Sequence, residues 1–226
     1  MSAVQEVVTE AAVVEAVPKK AMTLGYGTSL VMLALLILVP LFVKNFIIFQ
    51  LTMLLIYALA VLALNILTGG SGQFSLGQSA FYAVGAYTSA ILMEHADINY
   101  ALTLPIAGIV CFAFGFLFGQ PALRLSGVYL ALATFALATA MPQLLKLGYF
   151  EYWTGGVQGL VVDKPDAPFG LPMSQDMWLY YFTLAVSVAI YIFSVNLLKS
   201  RSGRAFMAIR DNEIAASAMG IDVALY

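Results

Sequence analysis

Residues 64–79 read LNILTGGSGQFSLGQS and join two apolar runs, 46–67 and 74–93, that contain no Lys, Arg, Asp or Glu. A run of about 20 mostly apolar residues is long enough to cross a hydrocarbon layer as a helix, so the stretch reads as a break between two membrane helices. Gly69, Gly70 and Gly72 free the backbone there, and hydroxyls and amides open the next helix. Such backbone is tolerated at membrane depth only where it is buried in protein or lines a wet cavity. The same criterion applied outward finds four further runs, 24–43, 101–120, 128–145 and 177–198. The expected fold is an all-α integral membrane protein, a polytopic helical bundle of about six spans with a glycine-rich break between spans two and three. Composition agrees: 62% of the 226 residues are hydrophobic and 10% charged, against roughly 45–50% and about 25% in soluble domains. The same figures exclude a disordered chain.

Basic residues set the expected orientation. With the N-terminus in the cytoplasm, Lys19, Lys20, Arg124, Lys199, Arg201, Arg204 and Arg210 lie inside, while Lys44, Lys146 and Lys164 lie outside. Seven of the ten are then inside, as the positive-inside rule asks. The tail 1–23 carries Glu6, Glu10 and Glu15 before Lys19 and lacks an early basic segment. The first span is longer than a signal-peptide core and is followed by five more, so it reads as a retained helix. The segment 146–176, rich in Gly and Pro, is too long for a minimal connector and reads as an exposed docking loop. Gly155, Gly156 and Gly159 within it read as a turn. Gly115 with Gly119, and Gly85 with Ser89, are small-residue pairs suited to helix packing. Pro40, Pro105 and Pro142 bend or end helices. Cys111, alone of its kind, reads as a small buried hydrophobe.

Little in the chain supports catalysis. The single histidine, His95, stands in an expected exterior loop with Glu94 and Asp97, without a second His or Cys at metal-ligand spacing. No GxxxxGK[ST] or strand-borne GxGxxG occurs. The expectation is a transporter subunit rather than an enzyme, with no catalytic residue, no metal and no cofactor of its own. Proton-driven transporters place ionisable groups inside the membrane. The six runs and the break hold only neutral polar groups: Gln50, Asn65, Gln73, Gln78, Gln120, Gln143 and Asn196, with scattered Ser and Thr. Energy must therefore be supplied by a partner, or flow is passive.

The C-terminal segment from Lys199 to Gly220 is the second informative stretch. At helical spacing Ala205, Ala208, Ile209, Asn212, Ala215, Ala216 and Met219 fall on one stripe, with Arg204, Asp211 and Ser217 elsewhere. Asp211 is expected as a helix N-cap and Gly220 as its stop. A short, small-sided helix held below the membrane by basic flanks suits docking into a cleft of another protein; attraction to anionic lipid is the alternative.

Four ordered motifs carry a family resemblance: 64–87 (LNILTGGSGQFSLGQSAFYAVGAY), 127–132 (GVYLAL), 154–156 (TGG), and 203–205 through Gly220 and Ile221. From residue 24 onward the chain resembles LivM-type permease subunits of bacterial ATP-binding-cassette importers for branched-chain amino acids. The resemblance implies a second, LivH-like permease subunit, two cytoplasmic ATP-binding subunits that carry ATP and Mg, and a periplasmic substrate-binding protein. Glu213, Ala215, Ala216 and Gly220 match the family's Glu-x-Ala-Ala-x-x-x-Gly coupling motif. The implied ATPase-coupling residues are Gly203, Arg204, Ala205, Ala208, Ile209, Arg210, Asn212, Glu213, Ala215, Ala216, Gly220 and Ile221. The pathway candidates are Asn65, Gly69, Gly70, Gly72, Gln73, Ser75, Gly77 and Gln78.

The implied organisation is a cytoplasmic tail (1–23), an incomplete transmembrane permease domain (24–198) and a cytoplasmic coupling segment (199–226), in a bacterial inner membrane with both termini of the chain cytoplasmic. Two departures stand out. Gln78 occupies a position where the family usually has histidine, leaving a neutral amide that donates and accepts. Family members continue with further spans beyond the coupling motif, so the sequence ending at Tyr226 is expected to be a piece of a longer permease. Permeases of the same superfamily serve urea, amides and other amino acids, and a stand-alone channel or facilitator using the same glycine-rich lining is a further alternative.

Overall fold

A computed structural model describes residues 26–122, 125, 127–167 and 173–222, which are helical wherever they are regular. The tail 1–23, the start of the first run, Arg124, and Pro168, Gly170 and Pro172 of the long loop lie outside the described residues. The chain divides into two units at Lys44 and Asn45. The first contains α1 (Tyr26–Leu38), which a 3-10 turn at Val39–Leu41 ends where Pro40 enters.

The second unit holds all the other elements. Helix α2 (Asn45–Asn65) runs into a π-helical turn (Ile66–Gly70), followed by α3 (Gln78–Ala96), α4 (Tyr100–Ala122), α5 (Val128–Leu145), the single turn α6 (Glu151–Thr154), α7 (Gln175–Lys199), α8 (Arg201–Asp211) and α9 (Glu213–Ala218). Each of the six expected spans overlaps a helix among the described residues, but α1 and α3 are not among those long and apolar enough to cross a membrane. Four are long and apolar enough to cross a membrane, namely 45–70, 100–120, 128–145 and 175–199. Helix α3 differs in two ways from the expected 74–93. It starts at Gln78, because residues 72–77 leave the helix, and it runs on to Ala96, which brings Glu94 and His95 into its last turn rather than a loop.

Helices α2 and α7 pack together, as do α3 and α4, with α5 on α3. Contacts at their ends give the directions. Near one end of α2 and α7, the Ser174 hydroxyl lies 3.4 Å from Asn45 Oδ1; near the other, a Cβ on Gly70 would meet Leu198 at 3.4 Å. The two helices are therefore parallel. Trp178 Nε1 donates to the Tyr100 hydroxyl (2.8 Å), which puts the start of α4 beside the start of α7. His95 closes the end of α3 against Tyr152 and Trp153, just past α5. Two ends result: a loop end with Asn45, His95, Tyr100 and residues 146–167 and 173–175, and a break end with Gly69–Gly77 and α8.

The core is narrow, with small residues at some of its closest helix contacts. Ile48, Leu55, Ala80, Val84, Ala107, Leu130, Tyr180 and Leu184 are buried. A Cβ on Gly85 would touch Cys111 Sγ at 3.4 Å, and one on Gly115 would touch Phe81 at 3.3 Å. Gly119 has nothing within 4 Å, so the expected Gly115–Gly119 pair is not a joint packing surface here. Large apolar side chains such as Phe112, Phe116, Leu117 and Phe193 point outward. That is the arrangement of a protein whose solvent is lipid, where outward apolar surface carries no cost.

Candidate functional site at the glycine-rich break

The π turn closes where Gly69 and Gly70 follow Thr68. Thr68 Oγ1 donates to Leu64 O (2.8 Å) and Ser71 Oγ donates to Leu67 O (2.7 Å), so the hydroxyls occupy carbonyls that the widening helix leaves exposed. The Asn65 side chain stands over Gly69, where a Cβ would come within 2.8 Å of its Oδ1. Gly70 is buried. Gly72 then turns the chain with φ +72°, a left-handed conformation that glycine adopts without a Cβ penalty.

The outgoing residues 72–77 are pinned to α5. Leu76 N donates to Thr134 Oγ1 (3.0 Å), and a Cβ on Gly77 would meet Thr134 Cβ at 3.2 Å. Thr134 in turn donates to the Leu130 or Ala131 carbonyl. Ser75 Oγ accepts from Gly77 N (3.3 Å). Gln78 Nε2 reaches Ala60 O of α2 at 3.5 Å, the outer limit of a hydrogen bond. Gln73 is exposed. The eight pathway candidates thus run from the last residue of α2 through the π turn and residues 72–77 to the first residue of α3.

The coupling candidates begin where α7 meets α8. Ser200 is the only residue between the two helices: its hydroxyl donates to Leu197 O (2.6 Å) and accepts from Gly203 N (3.3 Å), serving both helix ends. Gly203 is buried, and a Cβ there would lie 2.3 Å from Leu198 O and 2.5 Å from Leu197 O. Arg204 Nη1 returns to Lys199 O (2.9 Å). Ala205 is buried, with Ala208 and Ile209 half-buried.

The expected single helix is two. Asn212 takes an extended conformation and its Oδ1 accepts from Ala215 N (3.0 Å), so Asn212 is the N-cap of α9, where Asp211 was expected. Asp211 is still helical and pairs with Arg210. The small-residue stripe is broken by this kink: Ala205 and Ala216 are buried while Asn212, Ala215 and Met219 are exposed, as is Glu213. Gly220, at φ +84°, does end α9; its N–H donates to Ser217 O and that of Ile221 to Ala216 O.

The structure also joins two regions that the sequence left separate. Arg210 Nη1 donates to Gly69 O (2.6 Å), and its Nε and Nη2 donate to Asp211 Oδ1 (3.0 and 2.8 Å). A Cβ on Gly72 would stand 2.6 Å from Arg210 Cγ. One end of the molecule therefore brings together the start of the break and the end of α8.

The sequence profile of the family described as branched-chain amino acid transport system / permease component matches residues 46–226. The chain belongs to this family. The match opens beside the boundary between the two structural units and takes in both the break and α8–α9; it starts later than residue 24, from which the resemblance was read. Among curated relatives, the chain is 35% identical over 194 residues to the high-affinity branched-chain amino acid transport system permease protein LivM of Salmonella typhimurium, covering 75% of this chain and 45% of the relative. It is 34% identical to LivM of Escherichia coli with the same coverage. A probable LivM protein of Methanocaldococcus jannaschii is 28% identical over 123 residues, 54% of this chain and 34% of the relative. The chain spans a little under half the length of the first two. No solved structure matches. Four helices of this family member are long and apolar enough to cross a membrane.

At the loop end, the described residues of the segment 146–176 are mostly exposed, with a few fastened by hydrogen bonds. Thr154 is buried, donates to Leu145 O (2.7 Å) and accepts from Gly156 N (3.3 Å). Gly155, Gly156 and Gly159 all have positive φ, as a turn needs. Lys164 pairs with Asp176 (2.8 Å) and lies over Phe49, and Gln175 donates to Asp166 (2.7 Å). Among the described residues no group of three or more His, Cys, Asp or Glu is placed to hold a metal.

Proposed function

We propose that the chain is part of the permease subunit of an ATP-binding-cassette importer for branched-chain amino acids in a bacterial inner membrane. The observation that carries the reading is the contact of α8 with the glycine-rich break, within a chain of the branched-chain permease family. In this reading α8 and α9, from Gly203 to Ile221, dock a cytoplasmic ATPase subunit, and residues 65–78 border the solute path. A LivH-like second permease, two ATP-binding subunits and a periplasmic binding protein complete the system, with ATP and Mg held by the partners.

Charge supports the orientation. Lys199, Arg201, Arg204 and Arg210 gather at the break end, which supports a cytoplasmic side for that end and an exterior side for the loop end, with Glu94, Asp97, Glu151, Asp163, Asp166 and Asp176. Both termini of the chain are then cytoplasmic. Alternating access needs two states that the ATPase stabilises differently, and a helix that touches both the docking face and the break is placed to bias them.

Reconstitution of the permease with its ATPase and binding-protein partners tests this. Leucine uptake is expected to require ATP and to be competed by isoleucine and valine. Uptake without any ATPase points instead to a facilitator, and competition by urea or short amides moves the solute assignment to those classes.

A further inference from the structure

We infer that Arg210 is the positioning residue that ties α8 to the glycine-rich break, so that displacement of α8 is transmitted to Gly69–Gly72 through one guanidinium. The inference deepens the proposed function and rests on it. Gly69 O belongs to the last turn of the helix that began at Asn45, where carbonyls have no partner further along the chain and the helix end is partially negative. A guanidinium is suited to that place: one N–H reaches Gly69 O at 2.6 Å while two others hold Asp211 Oδ1 at 3.0 and 2.8 Å. Asp211 therefore fixes the direction of the fork that reaches the break.

The break is also shaped around the arginine. Gly72 is left-handed, and any Cβ there would press into Arg210 Cγ at 2.6 Å. Beyond Gly72 the chain is anchored to α5 by the Leu76–Thr134 bond (3.0 Å). Residues 69–76 are thus strung between a fixed point on α5 and a movable one on α8. Lysine cannot replace the fork, because a single ammonium has no rigid second arm with which to hold Asp211 while reaching Gly69.

The test needs no knowledge of the solute. In the complete complex in lipid nanodiscs, Cys111→Ala removes the native thiol and Gln73→Cys places a reporter on the exposed side of the break. Maleimide labelling is timed with and without ATP and vanadate, alongside ATP hydrolysis. With Arg210 present, nucleotide is expected to change the labelling rate. Arg210→Ala is expected to reduce the labelling change per ATP hydrolysed roughly tenfold or more, as befits the loss of one charge-assisted hydrogen bond, with co-purification of the ATPase separating that loss from a loss of docking. Arg210→Lys should restore part of the response. Gly72→Ala should weaken it alone and add little to Arg210→Ala, the signature of two residues acting through one contact. Should Arg210→Ala fail to assemble, Arg210→Gln and Arg210→Lys carry the comparison. A full nucleotide response in an assembled Arg210 variant overturns the inference and leaves the proposed function standing. A parent complex whose labelling ignores nucleotide overturns both.

Discussion

The two ends of the helical unit are held together by different means. At the break end, the long-range bonds involve main-chain atoms: Gly69 O receives Arg210 from 141 residues away, and Leu76 N reaches Thr134 from 58. At the loop end, apart from His95 on Tyr152 O, the long-range bonds are between side chains, Ser174 with Asn45 and Trp178 with Tyr100, beside local pairs such as Lys164 with Asp176, 12 residues apart, and Gln175 with Asp166, nine apart. A main-chain partner cannot be mutated away, and its position depends on glycines at which any Cβ would collide. Side-chain pairs exposed to solvent are individually weak and replaceable. The break end is therefore expected to be sensitive to single atoms, and the loop end tolerant.

Substitutions ordered by expected effect can break that contrast. Gly203→Leu is the most severe, since its Cβ alone would fall 2.3 Å from the Leu198 carbonyl oxygen. Because main chain yields less than side chain, a loss of about 3 kcal/mol or more is expected, read as failure of the complex to co-purify. Gly72→Ala follows, at about 1–3 kcal/mol for a non-glycine residue in a strained conformation, with thermal unfolding in detergent as the measure. Thr134→Val keeps the shape but removes the acceptor of Leu76 N, an exposed bond whose net loss is about 0.5–1.5 kcal/mol; faster hydrogen exchange at Leu76 is the specific readout. Lys164→Met loses an exposed ion pair and the ammonium over Phe49, so the unfolding temperature should shift by no more than about 0.5–1 kcal/mol would produce. A loop-end substitution as damaging as Gly72→Ala would dissolve the contrast.

Much of the architecture is legible in the residues because lipid simplifies the rule: a charge-free run of sufficient length becomes a helix. The break is legible because three glycines in four residues have no other reason to stand between two such runs. Its boundary was not. Phe74 and Leu76 count as apolar, yet they precede α3 and are exposed, since Leu76 N is spent on Thr134 rather than on a helical turn. Asp211 and Asn212 are equally good N-caps by residue type, and only the extended backbone at Asn212 decides between them. Arg210 was recognisable as part of the coupling segment but not as the partner of Gly69, because a bond between a side chain and a distant carbonyl leaves no periodicity or spacing in the sequence.

Ser200 leaves no slack between α7 and α8. With one residue as the whole connection, both of its hydroxyl bonds engaged and Gly203 pressed against the preceding carbonyls, the corner behaves as a bent crank rather than a tether. Turning α8 about its own axis applies torque to a membrane helix that runs parallel to α2, whereas pulling on α8 loads the arginine link in tension. A partner that rotates the short helix and one that tugs it would deform this permease in different ways.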